Sequence, residues 1–327
     1  MSGVQPDEPA QHLAETGTAA AGAVGPGSVT VISVAYASMA VLPEMARSLP
    51  DGVDLVIVDN GPDDGLRDWA REAGHRLIVP GRNLGFGTGC NLGARQSKAE
   101  FLFFLNPDTR LQPDTLDILL ATARAHPSAA ALGPEFLKES GKSFRYRPSR
   151  ILRRSERLVG PSRPTETLQV PSLNGAGLLC RRSAFEMVGG FDEALFLFFE
   201  DDDLSLRLAA RAGPLLYVPA ARAAHGLGRS SPASRATAFL KGYHYAWSHG
   251  HVLKKFGRRA PRLVPLLGAF RQFLSARVLT SATRRAYARG RLIGAWDGLL
   301  GRPWQDSSAA SPEPCSCQGS GPMKRPE

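Results

Sequence analysis

Cysteine is scarce in this chain. Four occur in 327 residues, Cys90, Cys180, Cys315 and Cys317, too few for a disulfide framework. Cys315 and Cys317 lie in a Pro/Ser/Gly stretch with no histidine or further cysteine beside them, which excludes a zinc module there. The expected setting is therefore reducing and cytoplasmic. No apolar run approaches the roughly 18 residues that a membrane-spanning helix needs. Residues 1–28 are polar and rich in Gly and Ala, without the basic-then-apolar start of a secretory leader. They and residues 303–327 read as disordered, low-complexity segments. Acid is nearly missing from one stretch. Between Arg235 and Arg302 there are 14 Lys/Arg and a single acid, Asp297, for a net +13. The remainder has 26 basic and 29 acidic residues, net −3, so the formal charge of +10 belongs to one C-terminal segment. Such a segment suits an anionic surface: membrane phospholipid, polyprenyl phosphate or nucleic acid.

What is present is a large apolar fraction, 43%, enough for one sizeable core with a helical appendage. The first half alternates strand and helix signals. Expected strands are Val29–Ala35, Asp54–Val58, Arg76–Val79, Phe101–Leu105 and Ala129–Leu132. Helical patterns over 39–48, 66–73, 87–96 and 113–126 separate them. The run FLFFL at 101–105 suits a strand buried on both faces. This rhythm predicts an α/β fold with a mainly parallel sheet flanked by helices. The pattern loosens from Glu135 to Pro171. It resumes with a strand at Leu178–Arg181, helices at 183–188 and 200–212, and a last strand at Leu215–Val218. Residues 235–302 read as a basic, aromatic-rich helical extension to a body spanning 29–234.

The chemistry concentrates in a few places. Glu200, Asp201, Asp202 and Asp203 stand consecutively behind the aromatic run Phe196–Phe199. Crowded carboxylates beside apolar groups resist ionisation, as at sites that handle a cation, a proton or a hydroxyl. The same residues also suit a helix start, where acids oppose the partial positive charge. Further candidates sit at strand ends, where ligands bind in open α/β sheets. They are Asp59 with Asn60, Asn106-Pro107-Asp108, and the loop Gly85-Phe86-Gly87-Thr88-Gly89. Each Asx residue also fits a simple turn role. The glycine loop reads G-x-G-x-G after the third strand, not G-x-G-x-x-G after the first, which argues against a dinucleotide dehydrogenase. Its backbone could still approach a phosphate or nucleobase. His225, alone between His126 and His244, fits either a polar loop or a metal site beside the carboxylates.

Five stretches together resemble the family 2 glycosyltransferases of the GT-A fold, in their bacterial rhamnosyltransferase-like branch. They are VIVDNGPDDG, NLGFGTGCNLG, FLFFLNPDTRL, LNGAGLLCRRSAFEMVGGFDEALFLFFEDDDLSLRLAARAG and VPAARAAHGLG, within roughly Val29 to Gly228. The resemblance implies an inverting transfer of a sugar, a deoxyhexose such as rhamnose from dTDP-rhamnose, onto a lipid-linked or cell-wall glycan. It implies nucleotide-sugar contacts from Tyr36, Asp59, Asn83, Gly85, Gly87, Asn91, Asn106 and Asp108. Asp201 matches the catalytic base, and Asn174, Gly175, Glu200 and Asp202 fall around the acceptor and sugar pocket. Asp108 and His225 match the ligands of a divalent cation, Mg2+ or Mn2+. Asn106 replaces the first acid of the D-x-D motif, and the opening strand, Val34-Ala35-Tyr36-Ala37-Ser38, lacks the usual asparagine. The basic extension is then expected to lie peripherally on the inner face of the plasma membrane, against anionic lipid and near the acceptor. Asp203 is expected to pair with Arg207 one helical turn on.

Two other classes compete with this reading. A sugar-nucleotide nucleotidyltransferase wants a Lys/Arg-bearing glycine loop directly after the first strand, and residues 31–38 contain none. A basic nucleic-acid-binding scaffold leaves Asp59, Asp108 and Asp201 without a role, so no specific nucleic-acid partner is expected.

Overall fold

The computed structural model describes residues 27–138, 140–144, 149, 151–152, 164–226 and 234–306. The expected disorder of 1–28 and 303–327 falls mostly outside this set.

The first half builds as β1 (Val29–Ala35), α1 (Leu42–Arg47), β2 (Asp54–Asp59), α2 (Leu66–Glu72), β3 (Arg76–Ile78), α3 (Phe86–Arg95) and β4 (Phe101–Leu105). There follow β5 (Thr109–Leu111), α4 (Thr115–Ala125), β6 (Ala131–Leu137), β7 (Leu168–Val170), β8 (Gly177–Arg181), α5 (Arg182–Met187), α6 (Glu200–Arg211) and β9 (Leu215–His225). One sheet joins all nine strands in the order β3-β2-β1-β4-β8-β6-β9-β5, with β7 also on β9. β1, β2, β3, β4, β6 and β9 run one way; β5, β7 and β8 run against them. The sheet is thus mostly parallel, as its apolar strands predict.

Alternation along those strands feeds two cores. Val29, Val31, Phe101, Phe103 and Leu105 face α1, α2 and α4, through Leu42, Met45, Leu66, Leu116 and Leu120. Ile32, Val34, Leu102 and Phe104 face α3, α5 and α6, through Cys90, Phe185, Leu204 and Leu208. Strand order reverses at β1, between β2 and β4, so the carboxyl ends of these strands flank a crevice.

The structure changes two boundaries. β9 does not stop at Val218 but continues to His225. Its register on β6 jumps from Pro134↔Val218 to Glu135↔Arg222. Pro219 has no N–H to donate and reads as a terminator, yet the bulge absorbs it and the ladder resumes. β5 and β7, three residues each, were not anticipated, because such segments are too short to show a period. The ordered chain also runs past 302. Trp304–Asp306 forms a 3-10 turn, and the Trp304 indole donates to the Ala194 carbonyl at 2.8 Å.

Three helices complete the chain: α7 (Arg235–Lys255), α8 (Leu263–Phe273) and α9 (Ala282–Leu300). Ser234 caps α7 by accepting from the Thr237 N–H at 3.0 Å. α9 runs parallel to α7, matching Gly290 to Phe239, Gly294 to Tyr243 and Gly298 to Trp247. A Cβ on Gly290 or Gly294 would collide with the backbone carbonyl of Phe239 or Tyr243. Spacing of four keeps the glycines on one face and lets the two backbones touch. The Tyr243 hydroxyl then donates to buried Asp297 at 2.8 Å, which accounts for the one acid of this segment. Among the described residues no helix is long and apolar enough to cross a membrane.

Gly290→Val is expected to lower stability by about 2–3 kcal/mol, since the crossing cannot widen without losing packing. An unchanged urea midpoint would show that the helices do not meet at this distance.

Candidate functional site

A cavity of about 880 Å3 opens at the sheet's switch point. Val34, Tyr36 and Ala37 contribute from the end of β1, Asn60 and Pro62 from β2, and Asn106 and Pro107 from β4. Asn83, Gly85 and Phe86 come from the loop before α3, Asn174 to Ala176 from the approach to β8, and Phe196 to Asp201 from the approach to α6. α7 forms a further wall. The topology therefore gathers strand ends that are distant in sequence around one space.

On the β2 side, the carboxylate of Asp59 is buried and already engaged. Arg67 donates to it at 2.7 Å and the Gly61 N–H at 3.1 Å. Burial nevertheless holds its pKa above the usual carboxylate range, against the lowering by Arg67 and Gly61. Asp59 thus shapes the 59–61 turn from behind, and its neighbour Asn60 is the residue on the cavity wall. Asn60 also clamps the loop before α3, donating to the Gly85 carbonyl at 2.8 Å. Asn83 accepts from the Gly85 N–H at 3.0 Å. Gly85 has φ +82 and a Cβ there would strike the Phe196 carbonyl, so only glycine fits.

Besides Asp59, the expected contacts Gly87, Asn91 and Asp108 do not line the cavity. Gly87 packs against Phe191, which is why it lacks a side chain. Asn91 is buried within α3, where it accepts from the Phe191 N–H at 2.8 Å and donates to the Phe191 carbonyl at 2.9 Å. The glycines of this motif serve close helix packing, as Gly89 does against Val34 and Gly93 against Ile32.

The second edge carries Asp108 and His225, 3.4 Å apart between Oδ1 and Nε2. Pairing of Thr109 with His225 across β5 and β9 fixes that distance. The extension of β9 beyond Pro219 is what delivers the histidine. Asn106 lines the cavity beside them and donates its N–H to Ala176 at 3.0 Å. Among the described residues no group of three His, Cys, Asp or Glu is close enough to hold a metal ion.

The four acids do begin α6, and the helix gives each a different environment. Asp203 is buried and paired with Arg207 at 2.6 Å and Lys255 at 2.7 Å, as the helical spacing predicts for Arg207. Asp202 does not line the cavity. It bonds to Ser149, and burial and the neighbouring Asp201 charge hold its pKa high. Asp201 lines the cavity and accepts from the Gly175 N–H at 3.0 Å and the Asp202 N–H at 2.9 Å. Burial raises its pKa while those N–H groups oppose the rise. Gly175 permits the approach, since a Cβ would lie 3.0 Å from that of Asp201. Glu200 is buried in the cavity wall, and its Oε2 has no hydrogen-bond partner among the described residues. Burial first, then the charges of Asp201 and Asp202, push its pKa well above the ordinary value.

The residues leading into this turn are strained. Phe198 and Phe199 both hold left-handed backbone, at φ 69 and 67. α7 secures them: His249 stacks on Phe199 with ring centroids 4.9 Å apart, Tyr245 contacts both rings, and Ser248 donates to the Leu197 carbonyl at 3.0 Å.

The sequence places the basic extension near the acceptor, or packed as a hairpin on the body, but names none of its residues as lining the site; α7 supplies a wall of the cavity. Thr237, Leu240, Lys241 and His244 line it, at the i, i+3, i+4, i+7 spacing of one helix face. That spacing was legible; its orientation toward the sheet was not. Burial lowers the pKa of Lys241, and the Asp108 charge acts in the opposite sense.

The raised Glu200 pKa has a stability consequence. A folded-state pKa above the unfolded one costs nothing below the unfolded pKa. The penalty grows as pH rises toward the folded value and persists above it. Glu200→Gln is therefore expected to raise the melting temperature relative to the parent more at pH 8 than at pH 4. An equal difference at both pH values would mean that Glu200 is ionised in the fold.

Comparison with known proteins agrees with this arrangement. The family model for "Glycosyl transferase family 2" matches residues 30–189. The Mycobacterium tuberculosis N-acetylglucosaminyl-diphospho-decaprenol L-rhamnosyltransferase is 36% identical over 236 residues, covering 60% of this chain and 76% of that protein. Rhamnosyltransferase WbbL of Escherichia coli is 27% identical, over 45% of this chain and 62% of its own. A mannosyltransferase from Pyrobaculum calidifontis, solved with GDP-Man and Mn2+, superposes with a TM-score of 0.50 at 15% identity, over 87% of this chain and 91% of its own. With the sheet, the strand-end crevice and the acidic helix start in place, the chain belongs to the family 2 glycosyltransferases.

Proposed function

We propose that the protein transfers a deoxyhexose, rhamnose from dTDP-rhamnose, with inversion, to a hydroxyl of a lipid-linked cell-wall or polysaccharide glycan. The sugar and acceptor classes follow the rhamnosyltransferases named above. The observation that carries the chemistry is Asp201, a cavity carboxylate whose oxygens are steered by the Gly175 and Asp202 N–H groups. In this reading Asp201 takes the proton of the acceptor hydroxyl as its oxygen bonds to the anomeric carbon. The bond from that carbon to the nucleotide diphosphate breaks, and the diphosphate leaves with its electron pair. One base and one displacement invert the anomeric centre. Burial keeps the Asp201 pKa closer to that of the hydroxyl's developing acid than a free carboxylate's would be.

Tyr36, Asn60, Asn83, Gly85, Asn106, Asn174, Gly175 and Glu200 all line the cavity; in this reading the first five contact the nucleotide and the last three the sugar and acceptor. Burial favours the protonated form of Glu200, and in that form it can donate a hydrogen bond to a sugar oxygen. Asp108 and His225 would hold a divalent cation, Mg2+ or Mn2+. A carboxylate oxygen and an imidazole nitrogen 3.4 Å apart suit such an ion when diphosphate oxygens and water complete its shell. When bound, the ion supplies Lewis-acid stabilisation of the leaving diphosphate. Asn106 brings no charge to this edge, and Lys241, on the α7 wall of the cavity, would present its amine to the diphosphate. The basic segment 235–302 makes peripheral contact with anionic membrane, bringing the lipid-linked acceptor to the cavity. The nucleotidyltransferase alternative has no support, since residues 36–41 after β1 include no Lys or Arg.

Asp201→Asn is expected to reduce turnover about 10³-fold or more while calorimetry shows donor binding retained. Undiminished turnover removes Asp201 as the base. Asp108→Asn should raise the cation concentration needed for nucleotide-sugar binding. Lys241→Met should weaken dTDP binding about tenfold in the presence of saturating cation. Unchanged dTDP affinity in Lys241→Met would place that amine away from the diphosphate.

A further inference from the structure

Helix α8 is built inside out. Its contact face toward α7 and α9 is made by the small residues Pro265 and Ala269, both buried. Leu266 packs with Ala269 against Ala246 and Ala295, and the other large apolar residues of the helix point away from the protein. Leu263, Leu267, Phe270 and Leu274 are exposed at 51%, 66%, 56% and 68%. Their spacing of i, i+4, i+7 and i+11 forms one continuous stripe along the helix. Val264 and Phe273, also exposed, widen it on either side. A soluble helix carries its apolar stripe inward, so an outward stripe of this size marks a surface that another phase or molecule covers.

The charge around it selects the occupant. Exposed Arg259, Arg262 and Arg271 lie just before and along the stripe. Residues 235–302 contain 14 Lys/Arg, and their single acid, Asp297, is buried against Tyr243. The exposed charge of the segment is therefore entirely positive. A second copy of the chain would set this charge against itself. Nucleic acid would leave the leucines and phenylalanines unsatisfied, because its outer surface is phosphate. An anionic bilayer satisfies both features, taking the apolar stripe into the acyl boundary and the guanidinium groups among the headgroups.

We infer that the outward face of α8, centred on Leu267 and Phe270, is the docking face for an anionic phospholipid bilayer. α8 then lies in the membrane plane, with α7 and α9 between it and the sheet. This deepens the proposed use of a lipid-linked acceptor and rests on that reading only for its purpose, since lipid binding is measured without turnover.

The test is co-sedimentation of the full chain with vesicles of phosphatidylcholine and phosphatidylglycerol, against phosphatidylcholine alone, at two salt concentrations. The parent should pellet with the anionic vesicles and release partly at high salt. The double variant Leu267→Asp/Phe270→Asp should lose about tenfold or more in partitioning. Circular dichroism checks its fold, and Leu263→Gln/Leu274→Gln serves as a milder pair. Turnover on a water-soluble, short-chain acceptor should be unchanged in both. Equal pelleting of parent and variants, or no pelleting of the parent, overturns the proposal. So does a parent dimer, seen by analytical ultracentrifugation, that the double variant dissolves. Vesicle binding without turnover on any acceptor would leave the docking face standing and remove the transferase reading.

Discussion

Two consecutive phenylalanines in left-handed backbone are the constraint on which the acidic face depends. Such conformations cost about 1–3 kcal/mol each for a non-glycine residue and persist only when their surroundings determine them. Here the surroundings are helix α7. His249 and Tyr245 cover the Phe198 and Phe199 rings, and Ser248 holds the Leu197 carbonyl. The sharp turn that results starts α6 at Glu200 and directs Asp201 to the Gly175 N–H. Lys255, at the end of α7, reaches both Asp192 and Asp203 at 2.7 Å. The basic extension is thus a structural part of the catalytic domain, and α7 connects the cavity to the outward face of α8.

The same turn explains how adjacent acids acquire separate characters. A helix sends successive side chains about 100° apart, so four neighbours meet four environments. Asp203 meets two cations, Asp202 a hydroxyl, Asp201 two backbone donors, and Glu200 is buried with its Oε2 unpartnered among the described residues. Negative charge at the helix start is favoured by the aligned peptide dipoles, which offsets part of the repulsion. Burial raises the pKa of both Glu200 and Asp201, and at Asp201 the backbone N–H groups oppose that rise.

Glycine carries a different lesson. The G-x-G-x-G run and the asparagine that follows suggest a loop around a ligand. In the fold, only Gly85 touches the cavity, while Gly87, Gly89 and Gly93 let α3 sit close on Phe191, Val34 and Ile32. Gly290 and Gly294 do the same for α9 on α7. A missing side chain signals a close approach, and sequence does not say whether a ligand or the protein's own backbone makes it.

Local pattern by itself determined the α/β class, the buried strands, the start of α6 and the Asp203–Arg207 pair, because period, burial and one-turn spacing are properties of short segments. The motifs in order also determined the family. Tertiary structure decided the rest. It carried β9 past Pro219, so that His225 reaches Asp108. It turned Asp59 toward Arg67 and Asn60 toward the cavity. It made α7 a cavity wall and left the stripe of α8 uncovered. Each of these is set by which element packs against which, and such long-range contacts leave no period in the chain that forms them.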